Sequence, residues 1–231
     1  PNKSMSLHTK RKPQSNTRLL IFVITSLLAI SMTSQSKSLD KPVNVVMYGD
    51  SVSAGYGMQT EESWPYLLKQ TFVTEKSKIN LLNASISGET TGGGLARLPE
   101  VLKRLSLENN DWVIIELGGN DGLRGFPVNT FKNNLEAMIK EIKSRGVNVA
   151  LMQVRIPPNY GKRYTSMFED VYPKLAAQYN IPLLPFFMEK IAVNPTYMMK
   201  DGIHPNKSAQ VIIRDDMKKM IEDLILKHEG Y

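Results

Sequence analysis

The stretch "VVMYGDSVSAGYGMQ", residues 45–59, is an apolar run that stops at Gly-Asp-Ser. Val45, Val46 and Met47 read as the end of a buried strand. Gly49, Asp50, Ser51, Gly55 and Gly57 then arrive within nine residues. Two readings compete. One is an ordinary strand-to-helix turn. The other is a serine hydroxyl held at the carboxyl edge of a sheet.

Outward from this turn, strand-like and helix-like segments alternate. "VNVVMY" (43–48), "INLLNA" (79–84), "DWVIIELG" (111–118), "VNVALMQV" (147–154) and "IPLLPF" (181–186) are short and rich in Val, Ile and Leu. Most are apolar nearly throughout, which suits strands buried on both faces. Helical patterns fall at about 61–73, 92–106, 128–145, 164–179 and 206–227. Pro65 and Pro127 sit near helix starts, where proline is tolerated. The alternation predicts a three-layer α/β/α fold around a five-stranded parallel sheet. Sites in such folds form outside the carboxyl ends of the strands. The loops to read are therefore 49–58, 83–92, 118–127, 155–163 and 194–206.

Composition narrows the function classes. The formal charge is +7, but six of the 29 Lys and Arg lie in residues 1–38, where there is no acid. The 23 bases that remain nearly balance the 22 acids, which removes the main support for a nucleic-acid partner. Lys10, Arg11, Lys12 and Arg18 precede the apolar "LLIFVITSLLAI" (19–30) and the small residues of "SMTSQSKS". That order predicts a secretory signal over 1–38, cleaved after Ser36 or Ser38, ahead of a single domain at 39–231. The apolar run is shorter than the roughly 20 residues a bilayer span needs. Periplasmic or secreted location follows, with no stable membrane span after cleavage; an uncleaved anchor is the alternative. Met5 reads as the natural start, with Pro1 to Ser4 extraneous. The chain has no cysteine, which excludes a cysteine nucleophile, a lipid-modified amino-terminal Cys and a Cys-ligated zinc site.

The loops supply Ser51, Gly88, Asn120, Asp201 and His204, in "GDSVSAGYG", "NASISGETTGGG", "GGNDGLRG" and "DGIHPN". A serine hydroxyl is a weak nucleophile and needs a neighbouring base. His204 is the candidate, because His8 lies in the leader and His228 near the end. Asp201, three residues earlier, can orient its ring. The N–H groups of Ser51 and Gly88 and the amide of Asn120 could receive an oxyanion. Taken singly, each residue has a bland reading as a turn, a cap or a surface histidine. Asp50, beside Ser51, is expected to point away and make a structural hydrogen bond. Gly92 to Gly94 hint at a phosphate cradle, but no Lys-Ser/Thr follows, which favours a tight entry to a helix. The joint order, one role per sheet-edge loop, favours acyl transfer.

"GDSVSAGYG", "NASISGETTGGGLARLP", "ELGGNDGLRG" and "DGIHPN" resemble the four blocks of the SGNH (GDSL) hydrolases, over about residues 43–225. The resemblance is greatest to the bacterial periplasmic thioesterase/lysophospholipase/arylesterase branch. It implies a flavodoxin-like sheet, Ser51 as nucleophile, Gly88 and Asn120 in the oxyanion hole, and Asp201 and His204 completing the triad. It also implies hydrolysis of esters and thioesters of single acyl chains, including lysophospholipids and aryl esters; the scarcity of histidine and the absence of cysteine add the expectation of no metal and no cofactor. "GLRGFP" (122–127) looks like the family's mobile loop beside the acyl pocket. Leu123, Phe126, Ile156, Pro157 and Tyr160 are the expected pocket walls. The sequence departs from the family at Gly92 to Gly94, where polar residues are usual, a difference that bears on substrate preference. Gly49 and Ser51 fit a G-x-S-x-G elbow, but residue 53 is serine, so that template does not apply. A two-metal phosphoesterase is the rival enzyme class, disfavoured by the scarcity of histidine. A non-catalytic envelope binding protein is the other alternative. Nothing in the sequence demands more than a monomer.

Overall fold

The protein was analysed as a computed structural model that describes residues 41–228. The expected leader lies outside the described residues. Its predicted neighbour begins with β1 (Val43–Gly49), α1 (Ser51–Ala54), α2 (Trp64–Thr74), β2 (Ile79–Asn83) and α3 (Thr91–Leu105). Then follow β3 (Trp112–Glu116), α4 (Gly119–Leu123), α5 (Val128–Ser144) and β4 (Asn148–Met152). The chain continues through α6 (Lys162–Glu169), α7 (Val171–Tyr179), β5 (Leu183–Leu184), α8 (Glu189–Ala192) and α9 (Lys207–His228).

The five strands are parallel, in the order β2-β1-β3-β4-β5. Strand order reverses direction at β1, so its carboxyl end and that of β3 flank the crevice where such folds bind ligands. Both faces of the sheet are covered. Val46, Tyr48, Val113 and Ile115 pack with residues of α3, α5 and α7 in one core cluster. The helices α2 and α9 pack against each other. Burying each large apolar side chain contributes about 1.5–3 kcal/mol, so all-apolar strands such as β1 belong where both faces are dry.

Prolines account for two departures from the expected segments. The last strand has two residues, because Pro182 and Pro185 flank it and have no N–H to give the ladder. The helix expected over 164–179 breaks at Asp170, since Pro173 cannot donate to the Glu169 carbonyl. Gln153 Nε2 donates to that carbonyl instead, at 3.2 Å.

The glycines at 92–94 do form a tight helix entry. Thr90 caps α3, its hydroxyl accepting from Gly93 N–H at 3.2 Å. A Cβ on Gly94 would lie 2.6 Å from Leu117 Cδ1, so α3 sits on the sheet at a distance only glycine allows.

Candidate active site

Ser51 opens α1 directly after β1. Asp50 caps that helix, its Oδ1 accepting from Val52 N–H at 3.1 Å. Gly55 ends it with φ 78°, a left-handed conformation that suits glycine. Gly49 plays a different part from the expected turn former. It is the last residue of β1, and a Cβ there would collide with the Glu116 carboxylate.

Residues far apart in the sequence meet at Ser51. His204 Nε2 lies 2.9 Å from Ser51 Oγ, and His204 Nδ1 lies 2.6 Å from Asp201 Oδ2. Asp201 Oδ1 also accepts from the N–H groups of Ile203 (2.9 Å) and His204 (3.0 Å). Partial burial alone would raise the Asp201 pKa. The His204 ring and those two N–H groups outweigh it and hold the carboxyl down at about 2. It is therefore ionised at neutral pH and fixes which ring nitrogen carries the proton. The Tyr56 ring stacks on the His204 imidazole, with centroids 4.2 Å apart and 30° between planes.

Gly88 lies in the second loop at φ 78°, with open space where a Cβ would be. Among the described residues, neither its N–H nor that of Ser51 has an acceptor. Asn120, on α4, is already engaged. Its Nδ2 donates to Glu89 O at 3.0 Å and to Asp50 Oδ2 at 3.3 Å. The next residue, Asp121, is buried and accepts from Thr91 N–H (2.9 Å) and Thr91 Oγ (2.6 Å). So "NDG", which reads as a loop, is a short helix whose acid ties the third loop to the second.

Three acids lie buried here. Asp50 and Glu116 are both nearly inaccessible, and Ser53 Oγ donates to Glu116 Oε2 at 2.7 Å. Burial pushes the Asp50 carboxyl up to about 6, against the opposing effects of Val52 N–H and His204. Burial and the neighbouring Asp50 charge push the Glu116 pKa well above its ordinary value, favouring the neutral carboxyl. Asp50 thus makes the structural bond expected of it, and adds one to Asn120. Tyr56, Ser53, Glu116, Asp121 and Thr91 were not singled out from the sequence for these contacts. An acid ending the apolar "WVIIE" was the one available signal.

The expected pocket walls occupy different environments. Leu123 and Phe126 are half-buried, and their carbonyls accept from Tyr160 Oη (2.9 Å) and Tyr164 Oη (2.7 Å). Pro157 is exposed. Ile156 is a core residue, buried beneath the third loop, where its Cγ2 would meet a Cβ on Gly122 at 2.7 Å. A cavity of about 320 Å³ lies elsewhere, lined by residues such as Tyr66, Lys69, Leu81 and Arg104. Among the described residues, no group of three or more His, Cys, Asp or Glu is arranged to hold a metal ion.

Comparison with known proteins agrees with this geometry. Residues 47–211 match the GDSL-like Lipase/Acylhydrolase family. An arylesterase of Vibrio mimicus is 47% identical over 191 residues, covering 83% of this chain and 92% of the relative. Thioesterase 1/protease 1/lysophospholipase L1 of Escherichia coli (strain K12) is 43% identical over 199 residues, 86% of this chain and 91% of that one. The solved structure of the psychrotrophic esterase EstA from Pseudoalteromonas sp., inhibited by monoethylphosphonate, superposes with a TM-score of 0.75 at 45% identity. It covers 78% of this chain and 97% of EstA. The matched span takes in the Ser51, Gly88, Asn120 and His204 loops together, and on these grounds the chain belongs to the GDSL-like lipase/acylhydrolase family, a family of ester-hydrolysing enzymes.

Proposed function

We propose that the protein is a serine hydrolase that cleaves esters and thioesters of single acyl chains through an acyl-enzyme. The observation that carries this reading is the Ser51–His204–Asp201 relay, with contacts of 2.9 and 2.6 Å. Ser51 Oγ attacks the acyl carbon while His204 Nε2 takes its proton. The N–H groups of Ser51 and Gly88 and the Asn120 amide receive the oxyanion. Asn120 exchanges its longer bond, to Asp50, for this one. His204 then protonates the leaving group, and the alcohol or thiol departs. Water then enters and gives a proton to His204 as its oxygen attacks the acyl carbon; the bond to Ser51 Oγ breaks, His204 returns the proton to that oxygen, and the acyl group leaves as a carboxylic acid.

Lysophospholipids, acyl thioesters and aryl esters are the proposed substrates, supported by what the relatives' names say of those proteins. The half-buried Leu123 and Phe126, with Pro157 and Tyr160, would take the acyl chain, Ile156 supporting them from below. An apolar trough discriminates only about 1–3 kcal/mol per methylene, so several chain lengths should be accepted. The chemistry uses no metal or cofactor, and one chain supplies every group, so a monomer suffices. Export to the periplasm with removal of residues 1–38 is part of the same reading. The amino terminus of envelope-purified protein should begin near Lys37 or Leu39.

A fluorophosphonate tests the reading. Its phosphoryl group should add to the peptide containing Ser51, read by mass, and hydrolysis should survive chelation. No adduct there, or activity lost to chelator and restored by a divalent ion, would point to a binding protein or a phosphoesterase.

A further inference from the structure

The carboxyl edge of the sheet carries more than a reaction site. Tyr56, Ile86, Tyr160, Met167 and Ile203 are each 37% to 49% exposed, an unusual concentration of large apolar side chains. They form one rim. Tyr56 stacks on His204, the neighbour of Ile203. Ile86 N–H donates to Gly49 O at 3.1 Å, two residues before Ser51. Tyr160 Oη binds Leu123 O, and Tyr164 Oη binds Phe126 O, which brings the α6 helix and Met167 to the same edge.

The charge of this rim is one-sided. Arg124, Lys162, Arg163 and Lys200 are exposed and have no ion pair among the described residues. Of the acids nearby, Glu89 pairs with Arg97 and Glu62 with Lys207. Glu61 and Asp201 are the exposed exceptions, two acids against four cations.

We propose that this rim docks on an anionic lipid surface. Aromatic and aliphatic side chains enter the headgroup boundary, and the four cations meet the lipid phosphates. Docking in this orientation points the Ser51 loop at the membrane, where single-chain lipid esters partition. The observation is independent of the acyl-transfer reading, since it concerns binding and not turnover.

The absence of cysteine makes the test direct. Ile86→Cys, carrying an environment-sensitive dye, is mixed with phosphatidylglycerol or phosphatidylcholine vesicles. Leu226→Cys is the control, because α9 leaves the site edge and Leu226 lies near its far end. All variants carry Ser51→Ala, so hydrolysis plays no part. The dye at position 86 should shift to the blue with phosphatidylglycerol alone, less so in 0.5 M salt, and the dye at 226 should not. Adding Lys162→Glu and Arg163→Glu should weaken the vesicle titration by at least about tenfold. Both sit exposed on the first turn of α6, and an unchanged circular dichroism melt verifies folding. An equal response with both lipids, no response at position 86, or a titration indifferent to the charge reversals would overturn the proposal. So would a shift driven by protein concentration without lipid, which would mark a second copy as the occupant.

Discussion

Tyr56 lies stacked on His204, 4.2 Å between ring centroids, on the flank of the imidazole that neither Ser51 nor Asp201 occupies. An aromatic face stabilises a cation above it, by about 0.5–1 kcal/mol at an exposed site. In the proposed reaction the imidazole takes the Ser51 proton, and the stacked ring would stabilise the cation so formed. Tyr56→Phe should keep kcat. Tyr56→Ala should lower kcat by roughly threefold to fivefold. Equal kcat in the two variants would remove Tyr56 from the account.

Asp201→Asn should reduce kcat by about 10³–10⁴, because an amide cannot hold the productive tautomer of His204. The same residue predicts an acid-stability effect. Its folded pKa, about 2, is depressed below the ordinary value near 3.9. Its contribution to stability is therefore present above about pH 4 and is lost as pH falls toward 2. In Asp201→Asn, unfolding measured between pH 4 and 2 should be less steep than in the parent.

Asn120→Ala should cost roughly 10²–10³ in kcat and leave KM almost unchanged. It should also destabilise modestly, by about 1 kcal/mol, since the Glu89 carbonyl loses a donor. Asn120→Asp should be worse on both counts, because a second carboxylate would face Asp50 Oδ2 across the present 3.3 Å contact. Steady-state kinetics and thermal melts on the two variants test this. Near wild-type kcat in either returns Asn120 to the role of a turn residue.

Asp50 and Glu116 should shape stability in the opposite sense to Asp201. Burial raises Asp50 to about 6, so folding favours its protonated form. That contribution is complete below about pH 4 and disappears as pH rises through 6. The Tm of Asp50→Asn minus that of the parent should thus be more positive at pH 8 than at pH 4. Glu116, whose neutral form burial favours, should tolerate Gln, which keeps an acceptor for Ser53 Oγ, and should not tolerate Leu. Differential scanning calorimetry across this pH range decides both.

The strands were legible because parallel strands buried on both faces are apolar runs, and β1 and β3 are that. Boundaries were less so. "IPLLPF" promises six residues but pairs over two, since a hydropathy pattern does not register a missing proline N–H. Ser51 falls in a compact motif at the end of β1, and Asp201 and His204 in one just before α9, and the fold brings these three side chains together. Ile156 could not be told from a pocket wall, because a core side chain and a lining side chain look alike in sequence. Tyr56 and Glu116 act through contacts between distant segments, and the partner is not written beside the residue.

Ser51 and His204, the proposed nucleophile and its proposed base, are 153 residues apart. The donors of the first three sheet-edge loops are all translated before the midpoint of the domain, whereas "DGIHPN" arrives with α9 almost at the end. A nascent chain therefore displays Ser51 long before anything can take its proton. With the proposed roles, hydrolytic competence appears late in synthesis, and a chain cut short before residue 204 should carry an inert serine.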